Sequence, residues 1–202
     1  MYCYGLFIDN NLCGVVTYGI PASPTLCRGL AGEDEFYNIL ELNRLVICDN
    51  TPNNASFLVG RSLRKLPRHR YVVSYADAEA WGHVGYIYQA CNFIYTGLSA
   101  SRTDTKSNGV HPRTAFRRGL DNTQRQPRSR KHRYIFVCAA TERERESMKA
   151  KIKYPIMPYP KGETRRYDTE NPESLMPELD RHMNRKAEVQ GDLFFSNVLF
   201  KN

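Results

Sequence analysis

Between residues 41 and 98 the apolar period changes four times. ELNRLVIC (41–48) alternates in steps of two, and ASFLVGRSLRKL (55–66) repeats at helical spacing through Ala55, Leu58, Val59, Leu63 and Leu66. RYVVSYAD (70–77) alternates again, HVGYIYQACN (83–92) has helical length, and FIYTGL (93–98) is once more strand-like. Strands that alternate with helices in this way predict an α/β fold whose middle strands lie parallel, because each helix serves as the crossover between neighbours.

The flanks extend the pattern. YCYGLFI (2–8), the turn DNN and LCGVVTYGI (12–20) read as a hairpin. A connection containing Pro, Ser and Gly follows, with a short helical stretch at DEFYNI (34–39). Thr51-Pro52-Asn53-Asn54 breaks the chain and offers an Asn cap to the helix that Pro67 ends. HRYIFVCAA (132–140) is the last clear strand and TERERESMKAK (141–151) a charged helix. Strict alternation places Glu41, Asn43, Leu45 and Ile47 on one face of their strand, with Leu42, Arg44, Val46 and Cys48 on the other. In 70–77 it places Val72, Ser74 and Ala76 opposite Val73, Tyr75 and Asp77. Residues 1–162 are thus expected to form one domain and 163–202 a polar tail ending in the apolar DLFFSNVLF (192–200). That segment is expected either to dock back or to mate with a second copy, and with an open sheet edge at the N-terminus it suggests a homodimer.

Charge is concentrated. Residues 99–133 hold ten lysines and arginines against two aspartates, which is the whole formal excess of +8. A basic insertion (99–131) of this kind attracts polyanions and releases counterions on binding phosphates, which favours nucleic acid as partner. No amphipathic apolar face accompanies it, so a membrane surface is disfavoured. The six cysteines stand singly, without CxxC spacing. Cys48, Cys91 and Cys138 fall in apolar stretches and read as reduced, buried thiols of a cytoplasmic protein.

IYQACNFIYTG (87–97) resembles the helix-to-strand element of the GNAT acetyltransferase superfamily, with Ile87-Tyr88 in place of Leu-Tyr and Asn92-Phe93 in place of Gly-Phe. More specifically, ELNRLVI, NNASFLVGRSLRKL, VVSYAD, GHVGYIYQACNFIYTG, RSRKHRYIF and YPIMPYPKG together resemble the Mom family of bacteriophage DNA-modification proteins. The match covers most of residues 2 to 162. The resemblance implies a GNAT-like mixed sheet (an N-terminal hairpin, then central parallel strands flanked by helices) and acetyl-CoA as group donor. It also implies conversion of adenine in double-stranded DNA to its N6-carbamoylmethyl form, in the bacterial host cytoplasm, as protection against restriction. Two departures accompany it. The CoA pyrophosphate loop Q/R-x-x-G-x-G/A is replaced by the glycine-free CDNTPNNAS. The hairpin stands where the superfamily has its second strand, and no counterpart of an upstream His-Tyr segment of the family is present in these residues.

The resemblance also assigns roles. Tyr88 would protonate the departing CoA thiolate, with Glu41, Asp77 or His83 taking the proton of the incoming amine and Ser74 and Tyr75 beside them. Asn53, Asn54, Ser56, Arg61 and Asn92 would hold the cofactor. Bond formation to the methyl carbon of an acetyl unit suggests a redox-capable metal, iron, with Asp77 and Tyr75 as ligands and His83 as a further one. Arg44, Arg113, Arg117, Arg118, Arg128, Arg130, Lys131 and Arg133 would hold DNA phosphates, while Tyr95 or Tyr75 stacks on an adenine flipped out of the duplex. Three functions fit this reading. They are a DNA-adenine modifying enzyme, a conventional N-acetyltransferase, and a DNA-binding protein of the same shape without catalysis.

Overall fold

The structure, a computed structural model, describes residues 1–48, 51–79, 83–105, 114, 117–119 and 125–162, without the side chains at 104, 105, 125 and 126. Asp49, Asn50, Trp81, Gly82, Arg113 and the segment 163–202 with its apolar DLFFSNVLF lie outside the described residues. The elements are β1 (Tyr2–Ile8), β2 (Asn11–Gly19), α1 (Pro24–Ala31), a 3-10 turn (Glu33–Asn38), β3 (Ile39–Ile47), α2 (Asn54–Lys65) and β4 (Arg70–Asp77). They continue with α3 (Tyr86–Ala90), β5 (Ile94–Leu98), β6 (Arg102–Thr105), β7 (Arg125–Arg128), β8 (Lys131–Cys138) and α4 (Glu142–Ala150).

Six strands form one mixed sheet in the order β1-β2-β3-β4-β8-β5, with β3 and β4 parallel and the other pairs antiparallel. The mixed α/β class expected from the alternating periods therefore holds. One core lies on the α2–α3 side of the sheet, built around Tyr18, Leu40, Leu42, Leu58, Val59, Leu63, Val72, Phe93 and Tyr134. The other lies beneath α1 and α4, around Leu30, Ile39, Tyr71, Val73, Ile135 and Met148. Among the described residues no helix is long and apolar enough to cross a membrane.

Four local features differ from the sequence reading, each for a physical reason. The connection after the hairpin contains a helix, α1, capped by Ser23, whose Oγ accepts from Leu26 N at 3.3 Å, with Pro24 in its first turn. The predicted helix 83–92 is only five residues long. It cannot begin earlier because Gly85 sits at φ 75, and a Cβ there would lie 2.6 Å from the Tyr134 ring. It ends because Asn92 turns left-handed (φ 59), with Asn92 N donating to Gln89 O and Phe93 N to Tyr88 O. That pair of bonds is a Schellman cap, and it explains why Asn replaces the Gly of the usual Gly-Phe pair, since both tolerate positive φ.

The third difference is a β-bulge. Thr17 pairs with Arg44 but Tyr18 with Leu42, so Asn43 has no opposite residue. The extra residue shifts the alternation. Leu40 and Leu42 face the α2 side before it, and Leu45 and Ile47 face the same side after it. Glu41 therefore shares a face with Ile39 rather than with Leu45 and Ile47. Finally, the basic insertion carries a two-stranded antiparallel ribbon, β6–β7, in a sheet of its own. Among the thiols, Cys138 is buried and Cys91 half-buried, but Cys48 is exposed, and all six are free.

Candidate functional site

The parallel pair β3–β4 is bonded only between Ile39–Glu41 and Tyr71–Val73. Beyond that point β3 continues on β2 to Ile47, and β4 continues on β8 to Asp77. The two strands part at their carboxyl ends, which is where open α/β sheets receive ligands. Glu41 is the last paired residue on one side of the opening and Ser74 the first unpaired one on the other.

On the α2–α3 side of this opening Ser74 is 1% exposed, and its Oγ has no partner in ordinary hydrogen-bond geometry. The group facing it is the Tyr88 hydroxyl from α3. Burial pushes the Tyr88 phenol up, and the Ser74 hydroxyl draws it only partly back, so Tyr88 keeps its proton at neutral pH. The Tyr88 ring packs 5.4 Å from both Phe93 and Tyr134, and Tyr134 in turn lies 5.2 Å from Tyr95. Gln89 Nε2 donates to Val84 O at 2.9 Å and to Tyr134 Oη at 3.1 Å, and Tyr134 Oη donates to the same carbonyl of Val84. These bonds fix α3 against β8 and with it the position of Tyr88. Tyr95 Oη meets His132 Nδ1 at 2.7 Å, and burial lowers the pKa of that imidazole.

A groove of about 670 Å³ is lined by Asn53, Ser56, Phe57, Arg61 and Arg64 of the α2 region and by Cys91 and Asn92 at the end of α3. Its volume is that of a small-molecule site. Four of the five residues assigned to the cofactor, Asn53, Ser56, Arg61 and Asn92, are among its walls; Asn54 is not. Arg145 and Lys149 of α4 also line it, and sequence reasoning missed them although their i, i+4 spacing puts both on one helix face. The loop before α2 lacks glycine, yet Asn53 adopts φ 68, the left-handed conformation a glycine would otherwise supply. Asn53 leaves its side chain out of the cap, while Asn54 N donates to Thr51 O at 3.4 Å.

The remaining candidates occupy the opposite face. Burial raises the half-buried Glu41, against a backbone hydrogen bond from Ala22 and the charges of Lys131 and Arg44. Burial pushes Tyr75 up to about 12, with Arg133 pulling it back. Asp77 accepts from Ser129 Oγ and, at 3.2 Å, from Glu79 N, while exposed His83 donates its backbone N–H to Asp77 O at 2.9 Å. Asp77, Tyr75 and Glu41 therefore do not share a face with Ser74 and Tyr88; the gap between β3 and β4 opens between the two faces. Among the described residues no three His, Cys, Asp or Glu side chains gather as a metal site requires. The donors among the described residues thus do not fit the iron suggested for Asp77 and Tyr75.

The basic residues also separate. Arg133 is committed to the fold, donating to Thr96 Oγ1 at 3.0 Å and Thr96 O at 3.1 Å, with its guanidinium 3.3 Å from the centre of the Tyr154 ring. Arg130 pairs with Glu79 at 2.6 Å. Arg44 is exposed and donates to Asn43 O at 2.8 Å. Arg117, Arg118 and Arg128 are exposed, and Lys131 is half-buried.

Sheet order and parted parallel strands define a mixed α/β protein with its candidate site at the carboxyl ends of the parallel pair. The chain belongs to the Mom protein family, whose model matches residues 1–161. The methylcarbamoylase mom of Escherichia phage Mu is 28% identical over 172 residues, covering 78% of this chain and 70% of that protein. Among solved structures, an N-acetyltransferase from Staphylococcus aureus Mu50 overlaps with a TM-score of 0.41 at 14% identity over 67% of each chain. A GphF GNAT-like decarboxylase in complex with isobutyryl-CoA overlaps at 0.38 and 15% identity, over 67% of this chain and 77% of that one.

Proposed function

We propose that this chain modifies the N6 amine of adenine in double-stranded DNA with an acetyl-CoA-derived group and so shields phage DNA from restriction. To reach the N6-carbamoylmethyl base, a two-electron oxidant must join N6 to the methyl carbon, and an ammonia-equivalent nitrogen must displace the CoA thiolate to form the amide. The observation that carries the reading is the opening between β3 and β4, with Ser74 and Tyr88 facing each other on its α2–α3 side, in a chain of the Mom family. The groove takes the donor, its pyrophosphate at the first amides of α2 near Asn53 and Ser56 and its other phosphate within reach of Arg61. Tyr88, protonated at neutral pH, gives its proton to the departing thiolate. Ser74 lends its unpartnered hydroxyl to Tyr88 or to the donor's thioester. The adenine enters from the Glu41–Tyr75 side, where Glu41, its pKa raised by burial, accepts the proton of the amine. Reaching that position requires the base to leave the duplex.

The test is to express the chain in bacteria, digest cellular DNA to nucleosides, and look by mass spectrometry for adenosine carrying a carbamoylmethyl group. Its appearance is the expected result. A protein that binds acetyl-CoA yet leaves adenine unmodified and acetylates small amines instead would replace this reading with that of a conventional N-acetyltransferase.

A further inference from the structure

We propose that His132, held by Tyr95 on the Tyr88 side of the sheet, is the base that takes a proton from the ammonia-equivalent nitrogen as it displaces the CoA thiolate. The inference rests on the function proposed above. It names, at the same site, the second nucleophile and the group that activates it.

Three observations meet here. First, the register puts His132 beside the reacting groups. Ser74 of β4 pairs with Tyr134 of β8 and Ala76 with His132, so His132 is the diagonal neighbour of Ser74, one step nearer the carboxyl end of β4. Even-numbered residues of β8 face the α2–α3 side, as Tyr134, Phe136 and Cys138 show. His132 therefore shares that face with Ser74, Tyr88 and Tyr95, and the Tyr95 ring lies 5.4 Å from the imidazole. Diagonal neighbours stand about 7–8 Å apart, a span that a thioester carbonyl and one small nucleophile fill when each contact is about 3 Å.

Second, the imidazole is oriented and neutral. Tyr95 Oη meets Nδ1 at 2.7 Å, and among the described residues Nε2 has no hydrogen-bond partner. Burial raises the Tyr95 phenol, so it keeps its proton, and burial lowers His132 from its ordinary value. The groups on its own face are Tyr95 of β5, Tyr134 of its own strand and Ala76 of β4, with Leu98 paired to it from β5. Its chain neighbours Lys131 and Arg133 fall on the opposite face. With Nδ1–H donating to the Tyr95 oxygen, Nε2 carries a lone pair at neutral pH.

Third, the reaction needs a base on this face. The carbamoylmethyl amide takes two nitrogens: adenine N6, on the Glu41 side, and a second that attacks the thioester carbonyl beside Tyr88. As ammonia adds to that carbonyl its nitrogen becomes cationic, and His132 Nε2 takes one proton from it. The new C–N bond stays, the C–S bond breaks, and Tyr88 protonates the departing thiolate. The imidazolium then gives its proton to solvent and Tyr88 regains one, so the sum is thioester plus ammonia giving amide plus thiol, with no change of oxidation state. Glu41 and Asp77 lie on the opposite face, and the walls here are the rings of Tyr88, Phe93, Tyr95 and Tyr134, which suit neutral ammonia rather than ammonium. In the sequence His132 is one histidine in a basic run; only its pairing with Ala76 and Tyr95 places it at the site.

The experiment gives the whole chain acetyl-CoA and ammonium chloride and follows free thiol and acetamide from about pH 5 to 9, with rates plotted against free ammonia. The parent should form both in proportion to ammonia, with a limb that falls as pH drops below the ordinary imidazole value of 6.5. His132→Gln keeps an amide to bond Tyr95 but cannot take a proton. It should lower the rate by roughly 10²-fold or more and abolish that limb, while acetyl-CoA binding by calorimetry and the thermal melt match the parent. Tyr95→Phe should lower the rate by less and keep the limb, since the imidazole remains but loses its hold. A His132→Gln variant with the parent's rate and limb overturns the inference, as does a parent without ammonia-dependent acetamide. In cells, His132→Gln that makes carbamoylmethyl adenosine at the parent's level overturns the inference alone and leaves the proposed function standing. A parent that leaves adenine unmodified overturns both.

Discussion

Replacing Tyr88 by Phe isolates the proposed proton donor. The variant keeps the ring and its packing 5.4 Å from Phe93 and Tyr134. It removes a hydroxyl that makes no hydrogen bond of ordinary geometry with Ser74, so folding stability should change by no more than about 1 kcal/mol. Acetyl-CoA affinity should hold too, because the groove walls come from α2, the end of α3 and α4. The chemical step should not survive intact. Loss of a positioned general acid lowers rate by roughly 10²–10⁴, which is about 3–5 kcal/mol of transition-state stabilisation. The assay is the initial rate of modified adenosine formation in plasmid DNA, read by mass spectrometry, with donor affinity from calorimetry and a thermal melt in parallel. Because the Tyr88 pKa is raised by burial, the parent enzyme should show no loss of activity from this group between about pH 7 and 9. A Tyr88→Phe variant whose kcat stays within a few-fold of the parent would refute the assignment.

Three further predictions concern the frame around the site. Glu35, 3% exposed, accepts from Lys151 at 2.6 Å and Asn38 at 2.8 Å and meets His69 at 3.2 Å; burial alone would raise its pKa, but these partners together hold it below the ordinary value of 4.5. Its stabilisation is therefore complete above that value and is lost as pH falls through the lower folded value, so Glu35→Gln should lower Tm by several degrees at neutral pH and much less near pH 3, as melts at both pH values would show. Asn92→Ala should lose about 1 kcal/mol in urea unfolding while Asn92→Gly loses almost nothing, because φ 59 penalises a Cβ without a compensating side chain. At the buried Tyr18–Ser62 bond of 2.6 Å, Ser62→Ala should be worse than Tyr18→Phe, roughly 1–3 against about 1 kcal/mol, since Ser62 retains Val59 O at 2.9 Å whereas the Tyr18 hydroxyl would be left without a partner.

Much of this protein is written in its local periods. The changes between steps of two and 3.6 through residues 41–98 determined the order of strands and helices, hence an α/β sheet with a parallel pair, because burying one face of each element is a property of the segment alone. The blocks around Tyr88 and Asn53 likewise pointed to a tyrosine on α3 and a helix start near Asn53, since helix ends announce themselves through a few neighbouring residues. What the segments could not carry was anything that depends on a partner strand. The bulge at Asn43 arises from the register with β2, and it alone separates Glu41 from the face of Leu45 and Ile47. The shortness of α3 follows from Tyr134 standing against Gly85, forty-nine positions away in the chain. The pairing of Tyr95 with His132, the engagement of Arg133 by Thr96 and Tyr154, and the division of the site between two sheet faces with a gap opening between them are all contacts between distant residues. Side-chain alternation is a local rule, but which residues meet across it is set by register, and register is decided only when the strands come together.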